Sequence, residues 1–209
     1  SAVYGYPSKV PVMENAPIAP VSVYGSSKRM VEEMIEWYGR IYGTRSVILR
    51  YFNAAGALPD GSLGEAHVHE SHIIPIALEV ASGKREKFEL YGNDYETPDG
   101  TCIRDYIHVV DLASAHLKAA QYLSRGGDST AINLGVGKGY SNLEVLDTVQ
   151  RVTGQKVTRS FAPRRPGDPA KLWADNQKAR TVLGWEPKYP ELTTIIETAW
   201  KWHGKHSSW

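Results

Sequence analysis

The sequence predicts an α/β fold. Short apolar segments rich in β-branched residues alternate with segments of helical periodicity along the 209 residues, and this alternation is typical of α/β proteins. Hydrophobic residues make up 42% of the chain and charged residues 22%, which is the composition of a globular protein and excludes a disordered one. No apolar run approaches the ~18 residues that a membrane helix needs, so we expect no membrane span.

The first elements each have a local signal. Residues 3–5 predict a strand that enters a turn, and four prolines between residues 6 and 20 predict an extended loop. Apolar residues recur at three- and four-residue spacing from 24 to 42, which predicts a helix that ends at Gly43. The β-rich run 46–52 then predicts a buried strand.

The rest of the chain continues the alternation. Ser141 precedes a periodic apolar run and Glu144 follows three residues later, so the pair predicts a capping box for a helix that reaches Val152. Periodicity and glycine positions predict the other elements: loops or turns at 53–68, 92–100 and 163–168, helices at 72–81, 109–123, 176–183 and 192–206, and strands at 87–91, 131–134 and 157–161.

Charge and cysteine content limit the possible partners and location. The chain has 24 Lys and Arg against 23 Asp and Glu, a net charge of +1. This near-neutral charge does not favour binding to nucleic acid or to an anionic membrane. We expect neither as a partner. Cys102 is the one cysteine, which excludes an internal disulfide and indicates a reducing, cytoplasmic location. We expect Cys102 to be a small packed side chain and not a nucleophile.

Tyr24 and Lys28 form the first pattern with chemical meaning. Tyr-x-x-x-Lys at the start of a helix places both side chains on one face, a few ångströms apart. A free phenol is a poor base at pH 7 because its pKa is about 10, and a nearby ammonium favours the phenolate. The pair can therefore act as a general base, although this spacing also occurs by chance in many helices.

Further motifs give this pair a context. They are Val3-Tyr4-Gly5, Arg50-Tyr51-Phe52-Asn53, Tyr91-Gly92-Asn93-Asp94-Tyr95, Asp99-Gly100-Thr101, Arg104-Asp105-Tyr106-Ile107-His108-Val109, Asn133-Leu134-Gly135, Arg164-Arg165-x-Gly167-Asp168, Trp173-Ala174-Asp175, Leu183-Gly184-Trp185 and Trp200-x-Trp202. Together with the Tyr-x-x-x-Lys pair they resemble the extended short-chain dehydrogenase/reductase family, and within it the UDP-hexose 4-epimerases. The resemblance covers nearly the whole chain.

The resemblance implies an isomerase that uses NAD. The reaction would be reversible 4-epimerisation of a UDP-sugar, UDP-glucose or UDP-galactose, through a 4-keto intermediate. Tyr24 would take the proton from the 4-hydroxyl, and Lys28 would hold the cofactor ribose. Alternatives are a UDP-pentose epimerase or a decarboxylase of the same family, or a nucleotide-sugar-binding fragment without catalysis. Family dehydratases carry Asp-Glu just before Val-Tyr-Gly, where this chain has Ser1-Ala2, which argues against dehydration.

Site residues follow from the resemblance position by position. Guanidinium groups suit phosphate through paired charge-assisted hydrogen bonds, although without the resemblance a surface ion pair would be the better interpretation of each arginine. The resemblance assigns cofactor contacts to Tyr24, Lys28, Tyr51 and Phe52, phosphate contacts to Asn53, UDP contacts to His72 and Ile73, uracil packing to Glu89, Leu90 and Tyr91, diphosphate binding to Arg104 and Arg165, a ribose hydroxyl to Asp168, and gating of the sugar 2-substituent to Leu172.

The resemblance also implies an incomplete Rossmann-type parallel sheet plus a smaller α/β substrate-binding domain. We expect residues 1–60 to be the C-terminal part of the NAD-binding domain and residues 61–209 to be mainly the UDP-sugar domain, with some segments returning to the Rossmann sheet. The chain begins without Met and carries no G-x-G-x-x-G fingerprint, so we expect the C-terminal part of a longer enzyme, inactive alone. Family members commonly pair through two helices, one of which matches residues 24–42, so a homodimer is possible.

His67, His69 and His72 suggest a metal site only by their spacing. The one cysteine is distant, and no carboxylate partner is evident from the sequence. We therefore expect a solvated loop here and no metal.

Overall fold

The computed structural model describes residues 1–206. After a short 3₁₀ helix, six α-helices and nine strands follow one another within these residues. The helices are α1 (Val23–Tyr42), α2 (Ile73–Ala81), α3 (Val109–Ser124), α4 (Asn142–Thr153), α5 (Gln177–Leu183) and α6 (Leu192–Lys205). The strands are β1 (Val47–Tyr51), β2 (Asn53–Ala55), β3 (Phe88–Tyr91), β4 (Ile103–Arg104), β5 (Tyr106–His108), β6 (Thr130–Leu134), β7 (Tyr140–Ser141), β8 (Arg159–Ala162) and β9 (Lys171–Leu172).

Parallel pairing joins strands that are far apart in the sequence. β1 pairs with β6, in register from Val47–Thr130 to Tyr51–Leu134, and β2 pairs with β5. β3 pairs with β8 and β4 with β9, again parallel, whereas β4 and β7 are antiparallel. Parallel neighbours need long crossover connections, which the intervening helices provide. The pairing confirms the predicted α/β fold.

Two buried apolar clusters hold these layers together. In one cluster α3 and α5 cover β1 and β6, with Ile132, Leu134 and Trp185 completely buried. In the other, α2, α4 and α6 pack around β3 and β5, with Leu90 and Ile195 at its centre. Each fully buried large apolar side chain contributes roughly 1.5–3 kcal/mol, so the two clusters fix the strands whose ends carry the site.

Helix α1 begins and ends where its sequence predicts. The Ser22 Oγ accepts a hydrogen bond of 3.0 Å from the Gly25 N–H, and Gly43 closes the helix with a φ of 66°, a left-handed conformation that glycine adopts without strain. The periodic apolar side chains that predicted the helix are nevertheless 55–63% exposed: Met30, Met34, Tyr38 and Ile41. The pattern therefore marks a face that the other described residues do not cover.

Several short elements differ from the sequence-based prediction. Residues 2–4 form a 3₁₀ helix and not a strand, and residues 53–55, predicted as loop, form β2. The predicted strand 157–161 lies at 159–162 instead. Strands β4, β5, β7 and β9 have two or three residues each, too few for a periodic pattern to show, and only their pairing partners define them.

Among residues 1–206, no helix combines the length and the apolar character that a bilayer crossing requires.

Candidate active site

A cavity of about 610 Å³ opens between the start of α2, strands β3 and β4, and the loop after β8. This volume lies in the usual range for small-molecule sites. Its wall brings together eight residues that the resemblance assigned to substrate binding: Asn53, His72, Ile73, Glu89, Tyr91, Arg104, Arg165 and Asp168. Distant segments of the chain thus converge on one concave surface.

One wall of the cavity carries two guanidinium groups. The guanidinium carbon of Arg165 lies 3.8 Å from the centroid of the Tyr91 ring, a stacked cation–π contact. The Nη2 of Arg104 lies 3.6 Å from the Oδ1 of Asp168. Stacking orients a planar guanidinium while its N–H groups stay available at the edge. This wall can therefore bind a diphosphate through several N–H donors.

Hydrogen bonds fix other residues of the cavity wall. The Nδ2 and the backbone N–H of Asn53 donate to the Asp105 carbonyl at 3.0 and 2.9 Å. The hydroxyl of Tyr91 donates to the Oε2 of Glu89 at 3.1 Å. His72 is the residue that precedes α2, so the first backbone N–H groups of that helix open toward the cavity side where His72 and Ile73 lie.

Asp105 lies in one of the sequence motifs, where no role is predicted for it, and the structure shows that its role is structural. Its buried carboxylate accepts backbone hydrogen bonds from Val136, Gly137 and Ala174 at 2.9, 3.1 and 3.1 Å. Burial raises the pKa of Asp105 to about 6, although these three hydrogen bonds act in the opposite direction. A Cβ at Gly135 would lie 2.4 Å from the Oδ2 of Asp105, so a side chain at position 135 would collide with this carboxylate. The glycine there is the one sequence feature that indicates the close approach.

Six of the predicted site residues lie outside the cavity wall, and four of these, Leu90, Leu172, Phe52 and Tyr51, are buried or lie on another surface. Leu90 is completely buried, and Leu172 and Phe52 are 8% and 5% exposed in a cluster with Val3. Tyr51 is 38% exposed, with its hydroxyl 2.5 Å from the Nε2 of His116. Direct contact of Leu90 and Leu172 side chains with a ligand in the cavity would require the surrounding side chains to move.

Tyr24 and Lys28 lie on the first turns of α1, as the sequence predicts. The Nζ of Lys28 is 5.1 Å from the centroid of the Tyr24 ring, and the Tyr24 side chain is 64% exposed. Neither residue lines the cavity. The loop that carries Asp168 approaches the start of this helix, since a Cβ on Gly167 would lie 3.4 Å from the Val21 carbonyl oxygen.

A buried polar network anchors α1 to the sheet. Arg50 donates from Nε and Nη2 to the two carboxylate oxygens of Glu32, both at 2.8 Å, and from Nη1 to the Tyr4 hydroxyl at 2.8 Å. The Tyr4 hydroxyl donates to the Oδ1 of Asn133 at 2.7 Å, and the backbone N–H of Asn133 donates to Glu14 at 2.8 Å. These contacts fix the helix that carries the Tyr-x-x-x-Lys pair.

A group of His and Glu side chains lies at the other end of the cavity. The ligand atoms of Glu65, His67, Glu70 and His72 all lie within 4.8 Å of one another. Burial, and then the neighbouring Glu70 carboxylate, raises the pKa of Glu65. No carboxylate partner of these histidines is evident from the sequence, and the structure shows two. The signal was present as the spacing Glu65-x-His67-x-x-Glu70-x-His72.

Cys102 is buried with a free thiol, and burial raises the pKa of that thiol. This agrees with the expectation of a packed side chain.

Comparison with known proteins gives one family for this chain. The profile of the family described as GDP-mannose 4,6 dehydratase matches residues 1–198. A curated relative from Halalkalibacterium halodurans, a UDP-glucose 4-epimerase, is 52% identical over 206 residues. That match covers 99% of this chain and 62% of the relative, so the chain spans about three fifths of the length of the curated relatives it matches.

Solved structures show the same similarity. The UDP-glucose 4-epimerase from Brucella ovis in complex with NAD is 48% identical, with a TM-score of 0.91, over 95% of this chain and 61% of that one. The UDP-glucose 4-epimerase from Bifidobacterium longum in complex with NAD⁺ and UDP is 36% identical, with a TM-score of 0.93, over 99% of this chain and 62% of that one. The Rossmann-type α/β fold expected from the sequence agrees with these neighbours.

Proposed function

The chain belongs to the family described as GDP-mannose 4,6 dehydratase, and from that premise we propose that it is part of an NAD-dependent enzyme that interconverts UDP-glucose and UDP-galactose by inversion at C4. The observation that carries the proposal is the cavity wall on which Arg104, Arg165, Asp168 and Tyr91 meet. Two guanidinium groups suit a diphosphate, and an aromatic ring and a carboxylate suit a base and a ribose hydroxyl. The names of the relatives support the epimerase over other members of the family.

Binding of the UDP moiety is assigned to residues of the cavity. Arg104 and Arg165 hold the diphosphate together with Asn53, and the start of α2 at His72 and Ile73 adds backbone donors. Glu89, Leu90 and Tyr91 of β3 run along the uracil, and Asp168 accepts a ribose hydroxyl. Because the Leu90 side chain is completely buried, only its backbone can contact the base.

The acid–base step is assigned to α1. Tyr24 takes the proton from the sugar 4-hydroxyl and returns it when the opposite epimer forms, and Lys28 holds the cofactor ribose through its ammonium group. The exposed phenol and the exposed ammonium at one helix end fit the nicotinamide–ribose end of NAD, with Tyr51 and Phe52 as further contacts. A bound NAD would supply the hydride-transfer chemistry at C4.

We also propose a division into two domains, in which the apolar cluster around β1 and β6 joins later segments to the first domain. Residues 1–60 belong to the NAD-binding domain, and residues 61–209 mainly to the UDP-sugar domain, of which 207–209 lie outside the described residues. The pairing of β6 with β1 supports the return of a later segment to the first domain.

The exposed apolar face of α1, with Met34 and Ile41, supports a homodimer that buries this face.

Replacing Arg165 tests the function directly. We expect Arg165→Ala in the intact protein to raise the KM for UDP-galactose about 10- to 100-fold, because charge-assisted hydrogen bonds to phosphate are lost. The measurement is conversion of UDP-galactose to UDP-glucose in the presence of NAD. Arg159→Ala is the matched control, since Arg159 lies on β8, pairs with Asp147 at 3.2 Å and does not line the cavity. Absence of conversion by the unaltered intact protein would contradict the proposed function.

Leu172 is proposed to admit some UDP-N-acetylhexosamine. We expect Leu172→Tyr to lower the kcat/KM for UDP-N-acetylglucosamine relative to UDP-glucose about tenfold, because a larger ring excludes the N-acetyl group. The ratio of the two substrates is measured because Leu172 is buried and overpacking alone would affect both. Leu172→Met conserves volume and should leave the ratio unchanged. An unchanged ratio in Leu172→Tyr would reject this role.

A further inference from the structure

We propose that Glu65, His67, Glu70 and His72 form a site for one divalent cation of the zinc class, at the edge of the cavity. Glu65, His67 and Glu70 lie in the segment between β2 and α2, and His72 is the residue immediately before α2. Their ligand atoms lie within 4.8 Å of one another, two imidazole nitrogens and two carboxylate oxygens. Imidazole nitrogen with carboxylate oxygen is a ligand set that zinc accepts.

The geometry of the cluster suits a four-coordinate ion. The Nδ1 of His67 lies 3.1 Å from Glu65 and 3.4 Å from Glu70, and the Nδ1 of His72 lies 2.5 Å from Glu65 and 3.1 Å from Glu70. Ligands on a tetrahedral zinc are roughly 3.3 Å apart when the bonds are ~2.0–2.1 Å long. Small side-chain movements would therefore place all four ligand atoms around one ion.

The charge of the cluster also suits a dication. Two carboxylates and two neutral imidazoles carry a total of two negative charges, which one divalent ion neutralises. No Lys or Arg forms an ion pair with Glu65 or Glu70 among the contacts of the described residues. In this structure the two imidazoles lie within hydrogen-bond distance of the two carboxylates, and a dication between them would neutralise both carboxylates.

The surroundings supply support and access. The Glu70 carboxylate accepts backbone hydrogen bonds from Ser71 and His72, both at 2.7 Å, which holds one ligand in place as outer contacts do in metal sites. The Glu70 side chain is 6% exposed, whereas the side chains of His67 and His72 are 53% and 56% exposed. An ion can therefore enter from the solvent side.

The ion would have a structural role. Four protein ligands complete a tetrahedron and leave no open position for substrate. The segment from Gly64 to His72 contains no helix or strand, while Glu65, Glu70 and His72 all line the cavity. Metal binding would thus fasten an irregular segment to the start of α2 and shape one cavity wall.

Direct titration tests the site. The intact protein is freed of metal with a chelator, dialysed and titrated with ZnCl₂ against a chromophoric zinc chelator, with MgCl₂ and MnCl₂ in parallel. We expect one Zn²⁺ per chain, weaker binding of Mg²⁺, and a rise in Tm on zinc addition because the ion binds the folded state. His67→Gln should weaken zinc binding by at least about tenfold and abolish the rise in Tm.

His69→Gln is the matched control, because His69 lies in the same segment but outside the cluster. It should bind zinc as the unaltered protein does. The Tm of metal-free His67→Gln should equal that of the metal-free parent, which separates lost binding from misfolding. No stoichiometric zinc binding, or an equal loss in His67→Gln and His69→Gln, would overturn the site. Zinc binding is measured without UDP-sugar or NAD, so a negative result leaves the epimerase proposal untouched.

Discussion

Tyr24→Phe is expected to lower the kcat of UDP-galactose epimerisation in the intact protein by about 10²- to 10⁴-fold, the usual range for loss of a general acid–base group. The substitution removes one oxygen atom from an exposed side chain, so the fold and the position of Lys28 should not change. The KM for UDP-galactose should change little, because the UDP-binding residues lie in the cavity and Tyr24 does not line it. Steady-state kinetics measures kcat and KM, and urea unfolding of the same samples shows whether the stability of the fold has changed.

Tyr38→Phe provides the control for this experiment. Tyr38 lies on the same helix, is 59% exposed and contacts the Tyr42 ring at 5.5 Å between centroids, so it loses the same hydroxyl without a proposed role in proton transfer. We expect near-normal kcat. Epimerisation at full rate by Tyr24→Phe would reject Tyr24 as the acid–base group. An equal loss of kcat in both variants would also reject it, because loss of either hydroxyl from this helix would then have the same effect.

The elements that the sequence predicts well are those with long local signals. Helix α1 shows twenty residues of periodicity with a glycine stop, and α4 has the capping box of Ser141 and Glu144, which the structure confirms. Strands β4 and β5 depend on pairing with segments more than thirty residues away, and no local pattern identifies them. Tertiary contacts decide such short strands.

Predictability of the site follows the same division. The resemblance identified eight residues that the structure brings to one cavity, although their individual roles stay predictions. The contact between Glu32 and Arg50 joins residues eighteen positions apart on a helix and a strand, and nothing in either local pattern indicates it. The carboxylates of the Glu65, His67, Glu70 and His72 cluster lie in the same short segment as its histidines, but an irregular segment has no periodicity from which their convergence could be predicted.

Glu32→Ala is expected to lower the free energy of unfolding by about 3–5 kcal/mol, since it leaves Arg50 as a buried charge without its carboxylate. The side chains of Glu32 and Arg50 are only 6% and 8% exposed. Loss of this pair also releases α1 from β1, so epimerase activity at moderate urea should fall earlier than in the parent. Urea unfolding followed by tryptophan fluorescence measures the change. Glu33→Ala is the control, because Glu33 forms an exposed pair with Arg29 worth at most about 1 kcal/mol.

The difference between Glu32→Ala and the parent should depend on pH. Burial raises the pKa of Glu32, but hydrogen bonds and charge from Arg50 outweigh burial and hold that pKa below its ordinary value. The folded state therefore binds this proton more weakly than the unfolded state, whose glutamate pKa is about 4.3. The stabilisation is complete above that pH and is lost as the pH falls below it. A difference between the two proteins that stays constant from pH 7 to pH 3 would show that the ion pair is not its source, and that lost packing of the Glu32 side chain is.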